Sequence, residues 1–375
     1  MMYWRLSTFY LFHFASLGVL VPYWSLYLKH QGFGAAQIGE LMALLMATKI
    51  VSPNIWGWIA DHTGLRLGVV RAGALLALVT FGAIFFVDGY WPTALVMVLF
   101  SFFWNAVLPQ FEANTLSHLG EQQHRYSSIR LWGSIGFIAT VAGMGPLLDR
   151  FDAGIVPGVM LALFVGILLA SLLAPRQDGT PHPPPVESLR RVLLKPQVLA
   201  LLAVCFLMQA SHGPYYTFYT LYMEGHGYTR SAIGQLWALG VVAEVGIFLL
   251  MPRLVAGYGL RSLLLTSMVL TTLRWLLIGH YPQSLPIVLA AQTLHAASFG
   301  VYHATAIALF HKFFPGRLQG RGQALYASLS FGAGGALGSY YSGAVWESLG
   351  AEAAFVIAAG LSALAFVIGW RWLKE

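Results

Sequence analysis

Residues 15–44 read ASLGVLVPYWSLYLKHQGFGAAQIGELMAL, and residues 210–239 read ASHGPYYTFYTLYMEGHGYTRSAIGQLWAL. The two stretches align without a gap at an offset of 195, and 11 of the 30 positions are identical. The same offset carries Gly64-Leu65-Arg66 onto Gly259-Leu260-Arg261. Each copy leaves one apolar run, passes a short polar turn and enters a second apolar run. The number of membrane crossings between the copies therefore decides whether the repeat is parallel or inverted.

The 375-residue chain is 58% hydrophobic and 9% charged, with a mean hydropathy of +0.69. Soluble domains carry about 25% charged residues. Apolar runs long enough to cross a bilayer recur throughout. They predict twelve spans, at 6–28, 37–59, 67–87, 91–116, 127–148, 154–173, 197–222, 231–252, 262–280, 284–310, 322–345 and 352–372. Six spans separate the two copies, so both halves have the same orientation. The expected fold is an all-α membrane protein with two parallel six-helix bundles, residues 1–174 and 197–375. Between them, 175–196 is a cytoplasmic linker marked by its prolines and charges. The first run ends in PYWSLYLK without a small-residue cleavage site and reads as a retained helix.

Lysine and arginine set the orientation. With both termini cytoplasmic, 15 of the 21 fall on the cytoplasmic side and 3 outside, while Lys49, Arg130 and Arg274 lie within spans. The net charge of +7 follows from this asymmetry and does not call for nucleic acid. The single cysteine, Cys205, lies in an apolar run and reads as packing. There is no P-loop, nucleophile motif or metal-ligand spacing, so ATP drive, metal and cofactor are all unexpected. The partners expected are a small-molecule substrate, the proton and the bilayer, for a monomer in the cytoplasmic membrane.

Residues 57–66, GWIADHTGLR, fall between spans 2 and 3. Gly57 would let two helices approach, Asp61 would pair with a cation or cap a helix, and Arg66 would hold the loop. The counterpart PRLVAGYGLR keeps Gly259 and Arg261 but has Ala256 in place of Asp61.

Five charged residues lie well inside spans: Lys49, Glu112, Arg130, Glu244 and Arg274. Such residues face a protein interior and mark a substrate or proton path. Helical spacing puts Ser101, Asn105 and Glu112 on one face of span 4, where Glu112 can reach Arg130 on span 5 and form a bidentate pair. Trp237, Gly240 and Glu244 share a face of span 8. His212 and Tyr216 share one of span 7, and Gln292, His295, Phe299, Tyr302 and His303 one of span 10. Lys49 corresponds to Glu244 under the repeat offset. Together these faces describe a wet cavity lined by aromatic rings.

GWIADHTGLR resembles the cytoplasmic loop signature of the major facilitator superfamily, which implies a gate latch at Gly57, Asp61 and Arg66. RLWGSIGF (130–137), with Glu112 eighteen residues before its arginine, resembles the span 4–5 element of the lactose permease type. That resemblance implies substrate binding by Glu112 and Arg130. Glu244, Arg274 and the TLH of residues 293–295 resemble residues of the same type that implies proton coupling, but Ser298 stands where its coupling carboxylate would be.

ASHGPYYTFYTLY, QLWALGVVAEV and TLHAASFGVYH resemble the 3-phenylpropionic acid transporter type along essentially the whole chain. The function implied is proton-coupled import of a small aromatic carboxylate. Lys49, Glu112, Arg130, His212, Tyr216, Trp237 and His295 are the expected substrate-binding residues, and Glu244, Arg274 and His295 those for the proton. The alternatives are a neutral sugar or nucleoside symporter and a drug exporter, the latter because Gly143-Met144-Gly145-Pro146 partly resembles an antiporter motif. Outside transport they are a membrane sensor or a membrane-embedded enzyme.

Overall fold

A computed structural model describes residues 2–175 and 189–374. Among them there is no strand. The helices are α1 Met2–His30, α2 Ala35–Thr63, α3 Arg66–Gly82, α4 Tyr90–Leu119, α5 Tyr126–Arg150, α6 Val156–Leu173, α7 Pro196–Gly225, α8 Arg230–Tyr258, α9 Leu260–His280, α10 Leu285–Phe313, α11 319–348 and α12 Ala351–Trp372. Among the described residues eleven stretches are long and apolar enough to cross a membrane. The exception is α11, a helix interrupted by a π-helical segment, Ala327–Gly334, and rich in glycine and serine. Most of the expected linker, 176–188, lies outside the described residues; Leu189–Leu193 forms one helical turn.

The outward faces bear the composition expected of a lipid solvent. Val79, Leu95, Phe86 and Leu249 are all more than half exposed. A water-soluble surface would present an aggregation-prone patch here, whereas lipid imposes no such penalty. Every helix supplies its own backbone hydrogen bonds, which a bilayer requires.

The helices form two compact units. Unit 1 comprises residues 1–33, 48–183 and 229–235. In it α1 packs on α5 and α6, and α3 packs on α4 and α6. Unit 2 comprises residues 34–47, 184–228 and 236–375. In it α12 packs on α9 and α7, and α7 on α11. The first part of α2 thus belongs with unit 2, and the first turn of α8 with unit 1.

Those exchanged segments are held by a repeated device. In unit 1 Asp149, at the end of α5, accepts the backbone N–H groups of Arg230 (3.0 Å) and Ser231 (3.1 Å) and the Ser231 hydroxyl. A Cβ on Gly145 would lie 2.5 Å from the Arg230 carbonyl, and one on Gly234 2.6 Å from that of Val141. In unit 2 Glu347 accepts the Ala36 N–H at 3.1 Å, and a Cβ on Gly39 would lie 2.7 Å from Gly343 Cα. Ala36 and Gly39 map onto Ser231 and Gly234 under the repeat offset. Each crossing pairs bare backbone at a glycine with a carboxylate on a helix N-terminus, where the dipole favours it.

The steric part is directly testable. Gly145→Val should destabilise the fold by about 1–3 kcal/mol, because neither backbone can yield. Gly143→Val, where a Cβ meets nothing within 4 Å, should not. Thermal unfolding of the detergent-solubilised variants reads the difference, and equal midpoints would contradict the packing described.

Candidate functional site

The polar interior of unit 1 gathers on α1, α2, α4 and α5. Arg130 Nε lies 3.7 Å from Glu112 Oε1, and the Tyr126 hydroxyl donates to the same oxygen at 3.1 Å. The expected bidentate pair does not form. The guanidinium is laid over the Phe14 ring, 3.7 Å from its centroid, with Tyr10 at 5.7 Å. That stacking fixes its plane and leaves a single nitrogen facing the carboxylate. Gly133 clears space for Nη1, since a Cβ there would lie 2.7 Å from it.

His13 stacks on Phe9 and Trp104 at 5.8 and 5.1 Å. His13 Nδ1 and Trp104 Nε1 are buried and hydrogen-bond to nothing among the described residues. Beside them Asn105 donates to the Thr48 hydroxyl, which donates to Ser101. Lys49, next along α2, is half-buried.

In unit 2 the centre is Arg274, fully buried on α9. Its Nε donates to the Ala291 carbonyl at 3.0 Å, Nη1 to Ser298 Oγ at 2.9 Å and Nη2 to Gln292 Oε1 at 3.4 Å. The guanidinium also lies 4.2 Å from the Tyr215 ring centroid and 4.7 Å from that of Trp275. Ser298 Oγ therefore serves as an acceptor for this arginine.

Arg274 Nη1 is 3.1 Å from His295 Nδ1, and His295 Nε2 is 3.3 Å from Glu244 Oε2. A guanidinium can only donate, so Nδ1 must carry the lone pair and the ring proton must sit on Nε2. The neutral imidazole thus accepts from Arg274 and turns its Nε2–H edge towards the Glu244 carboxylate. Gly240 makes this contact possible by letting α8 approach α10, since a Cβ there would lie 3.3 Å from His295 Cβ.

The remaining expected residues form the wall. His212 is fully buried with Nδ1 2.7 Å from the Met208 carbonyl, and its ring stacks on Tyr216 at 5.4 Å. Trp237 donates to Thr220 Oγ1 at 3.2 Å and packs on Tyr215 at 4.3 Å. Helical phasing alone missed Tyr215, which donates to Gln292 Oε1 at 2.9 Å. Span 7 breaks at His212, and the helix restarts at Gly213 with Pro214 in its first turn, so the two parts do not keep one phase. The dipeptide His212-Gly213 followed by Pro214 was the available signal. Span 10 likewise passes through a π-helical segment, Ala296–Val301, and Tyr302 leaves the expected face to donate to the Cys205 carbonyl. His295, Phe299 and His303 remain stacked in a ladder with 6° between successive rings.

At the loop signature Arg66 Nη2 meets Asp61 Oδ1 at 3.2 Å, and Asp61 stays mostly exposed. The close approach expected at Gly57 is absent, because a Cβ there would make only an ordinary 3.5 Å contact with Gln110. With Ala256 in place of an acid, Arg261 turns instead to the Leu373 and Trp370 carbonyls and caps the end of α12.

A multi-pass helical membrane protein with a charged, aromatic-walled site inside each repeat unit is organised as a transporter. The chain belongs to the MFS_1 like family, which it matches over residues 3–357. It is a major facilitator transporter and not an enzyme. It is 31% identical over 366 residues to the probable 3-phenylpropionic acid transporter of Escherichia coli K12, covering 93% of this chain and 92% of that one. It is 28% identical over 329 residues to the maltose permease of Geobacillus stearothermophilus, covering 87% and 83% of the two chains. The crystal structure of the nucleoside transporter NupG superposes with a TM-score of 0.84 at 16% identity, covering 100% of this chain and 99% of that one. That likeness speaks for the fold alone.

Proposed function

We propose that the chain is a proton-coupled symporter that imports a small aromatic carboxylate, such as 3-phenylpropionate, by alternating access. The observation that carries this reading is Arg130. Its guanidinium is stacked on Phe14 and only Nε faces Glu112, so among the described residues no protein acceptor takes its Nη donors. A planar fork beside aromatic rings suits a cargo that joins a carboxylate to a ring. The relative named for 3-phenylpropionic acid supports the same class.

In this reading Lys49, Glu112, Arg130, His212, Tyr216, Trp237 and His295 contact or wall the cargo. Glu244 takes the proton, with His295 and Arg274 holding it in place. Protonation would remove the negative charge facing His295 Nε2–H and loosen the contact, which gives a proton leverage over the helices α8 and α10 that carry the pair. Gly57, Asp61 and Arg66 form a cytoplasmic gate latch. Residues 1–174 and 197–375 act as two six-helix bundles, with α11 as a twelfth span and 175–196 as the linker. Both termini are cytoplasmic, and the protein works as a monomer in the cytoplasmic membrane.

A neutral sugar is the second reading, favoured by the maltose permease relative. Against it stands a site in unit 1 with two cations and one carboxylate. Uptake of labelled 3-phenylpropionate, maltose and a nucleoside into proteoliposomes, with an inward proton gradient and protein-free liposomes as the passive control, decides between them. Saturable uptake of the aromatic acid alone is expected; saturable uptake of maltose or nucleoside alone would replace this function.

A further inference from the structure

We propose that Lys49, rather than Arg130, supplies the positive charge that selects an anionic cargo. The inference rests on the anionic reading above and deepens it. Composition leaves one surplus cation within the spans, and the structure assigns it. In unit 2 Arg274 and Glu244 are joined through His295. In unit 1 Arg130 faces Glu112, so its charge is already offset. Lys49 has no carboxylate and no hydrogen-bond acceptor among the described residues, although it is half-buried inside a span.

An ammonium in that position is costly and persists where something offsets it. Thr48, the adjoining residue, and Asn105 and Ser101 bonded to it are neutral and bring no counter-charge. The His13 ring, held between Phe9 and Trp104, brings no negative charge either. The missing counter-charge is the cargo's own carboxylate. The two cations then divide the work. Arg130 offers directed donors that would serve a carboxylate or an amide oxygen alike, whereas Lys49 discriminates between them by charge.

The test compares 3-phenylpropionate with its neutral isostere 3-phenylpropionamide, measuring binding to the purified protein by calorimetry. Wild type should prefer the acid. Lys49→Gln should weaken acid binding roughly thirty-fold, the loss of a buried charged contact, and leave amide binding nearly unchanged, which also shows that the variant is folded. Lys49→Cys offers a second route, because the only native cysteine, Cys205, is fully buried. Alkylation of the introduced thiol with 2-bromoethylamine restores an ammonium at lysine-like reach and should restore the acid preference in the same sample. A Lys49→Gln protein that still prefers the acid, or an aminoethylated protein with no regained preference, overturns the inference. A wild type that binds neither ligand overturns the aromatic cargo itself and this inference with it.

Discussion

Arg130→Lys and the double replacement Glu112→Leu/Arg130→Met are expected to insert normally and to lose 3-phenylpropionate binding by roughly thirty-fold or more, a loss of ~2–5 kcal/mol. The arginine sits in a span where an isolated guanidinium is expensive, and Glu112 at 3.7 Å and the Phe14 ring are its compensation. If the pair served only as scaffolding, removing both charges together would leave binding intact. If the free Nη donors hold the cargo, the double replacement must fail even though both charges vanish. Arg130→Lys must fail as well, because an ammonium lacks the planar fork and cannot stack as a guanidinium does. These variants should weaken the acid and the amide alike, unlike Lys49→Gln. A double variant that binds 3-phenylpropionate like the parent would reduce Arg130 to scaffolding.

Glu244→Gln is expected to abolish saturable, gradient-driven uptake while saturable exchange of labelled for unlabelled substrate continues. Glutamine keeps a carbonyl oxygen for His295 Nε2–H at the position now 3.3 Å away, so the wall of the site should survive. What it cannot do is gain and lose a proton. One proton per monoanion would let wild type accumulate up to about tenfold per unit of pH gradient, since one unit is worth about 1.36 kcal/mol. Uphill uptake that survives in Glu244→Gln and fails in Glu112→Gln would move the proton site to unit 1.

Much of the fold was legible because its determinants are local or periodic. Apolar runs set the spans, and among the described residues eleven of them meet the length and hydropathy of a crossing in the structure. The stretch at 319–348 was harder, because its glycines and serines serve close packing and lower the apolar signal.

The site was legible in its charges, which stand out against lipid, and less so in its geometry. Glu112 and Arg130 do meet, yet their geometry follows from Phe14 on a helix remote in sequence. Tyr215 and the displacement of Tyr302 depend on a break at His212 and a π segment in α10, both of which defeat a phase computed for an uninterrupted helix. The tautomer of His295 follows from having Arg274 on one side and Glu244 on the other, a juxtaposition of three helices. The exchange of residues 34–47 and 229–235 between units had no signature beyond the glycines at each crossing.

The central claim is that the aromatic anion and the proton cross together. Its most direct measurement is the external pH of a lightly buffered proteoliposome suspension on addition of 3-phenylpropionate, with the trace from protein-free liposomes subtracted to remove passive entry of the neutral acid. The expected result is a saturable, protein-dependent alkalinisation that matches uptake of the labelled acid and is lost in Glu244→Gln. Saturable uptake of the acid with no protein-dependent change in pH would contradict the claim.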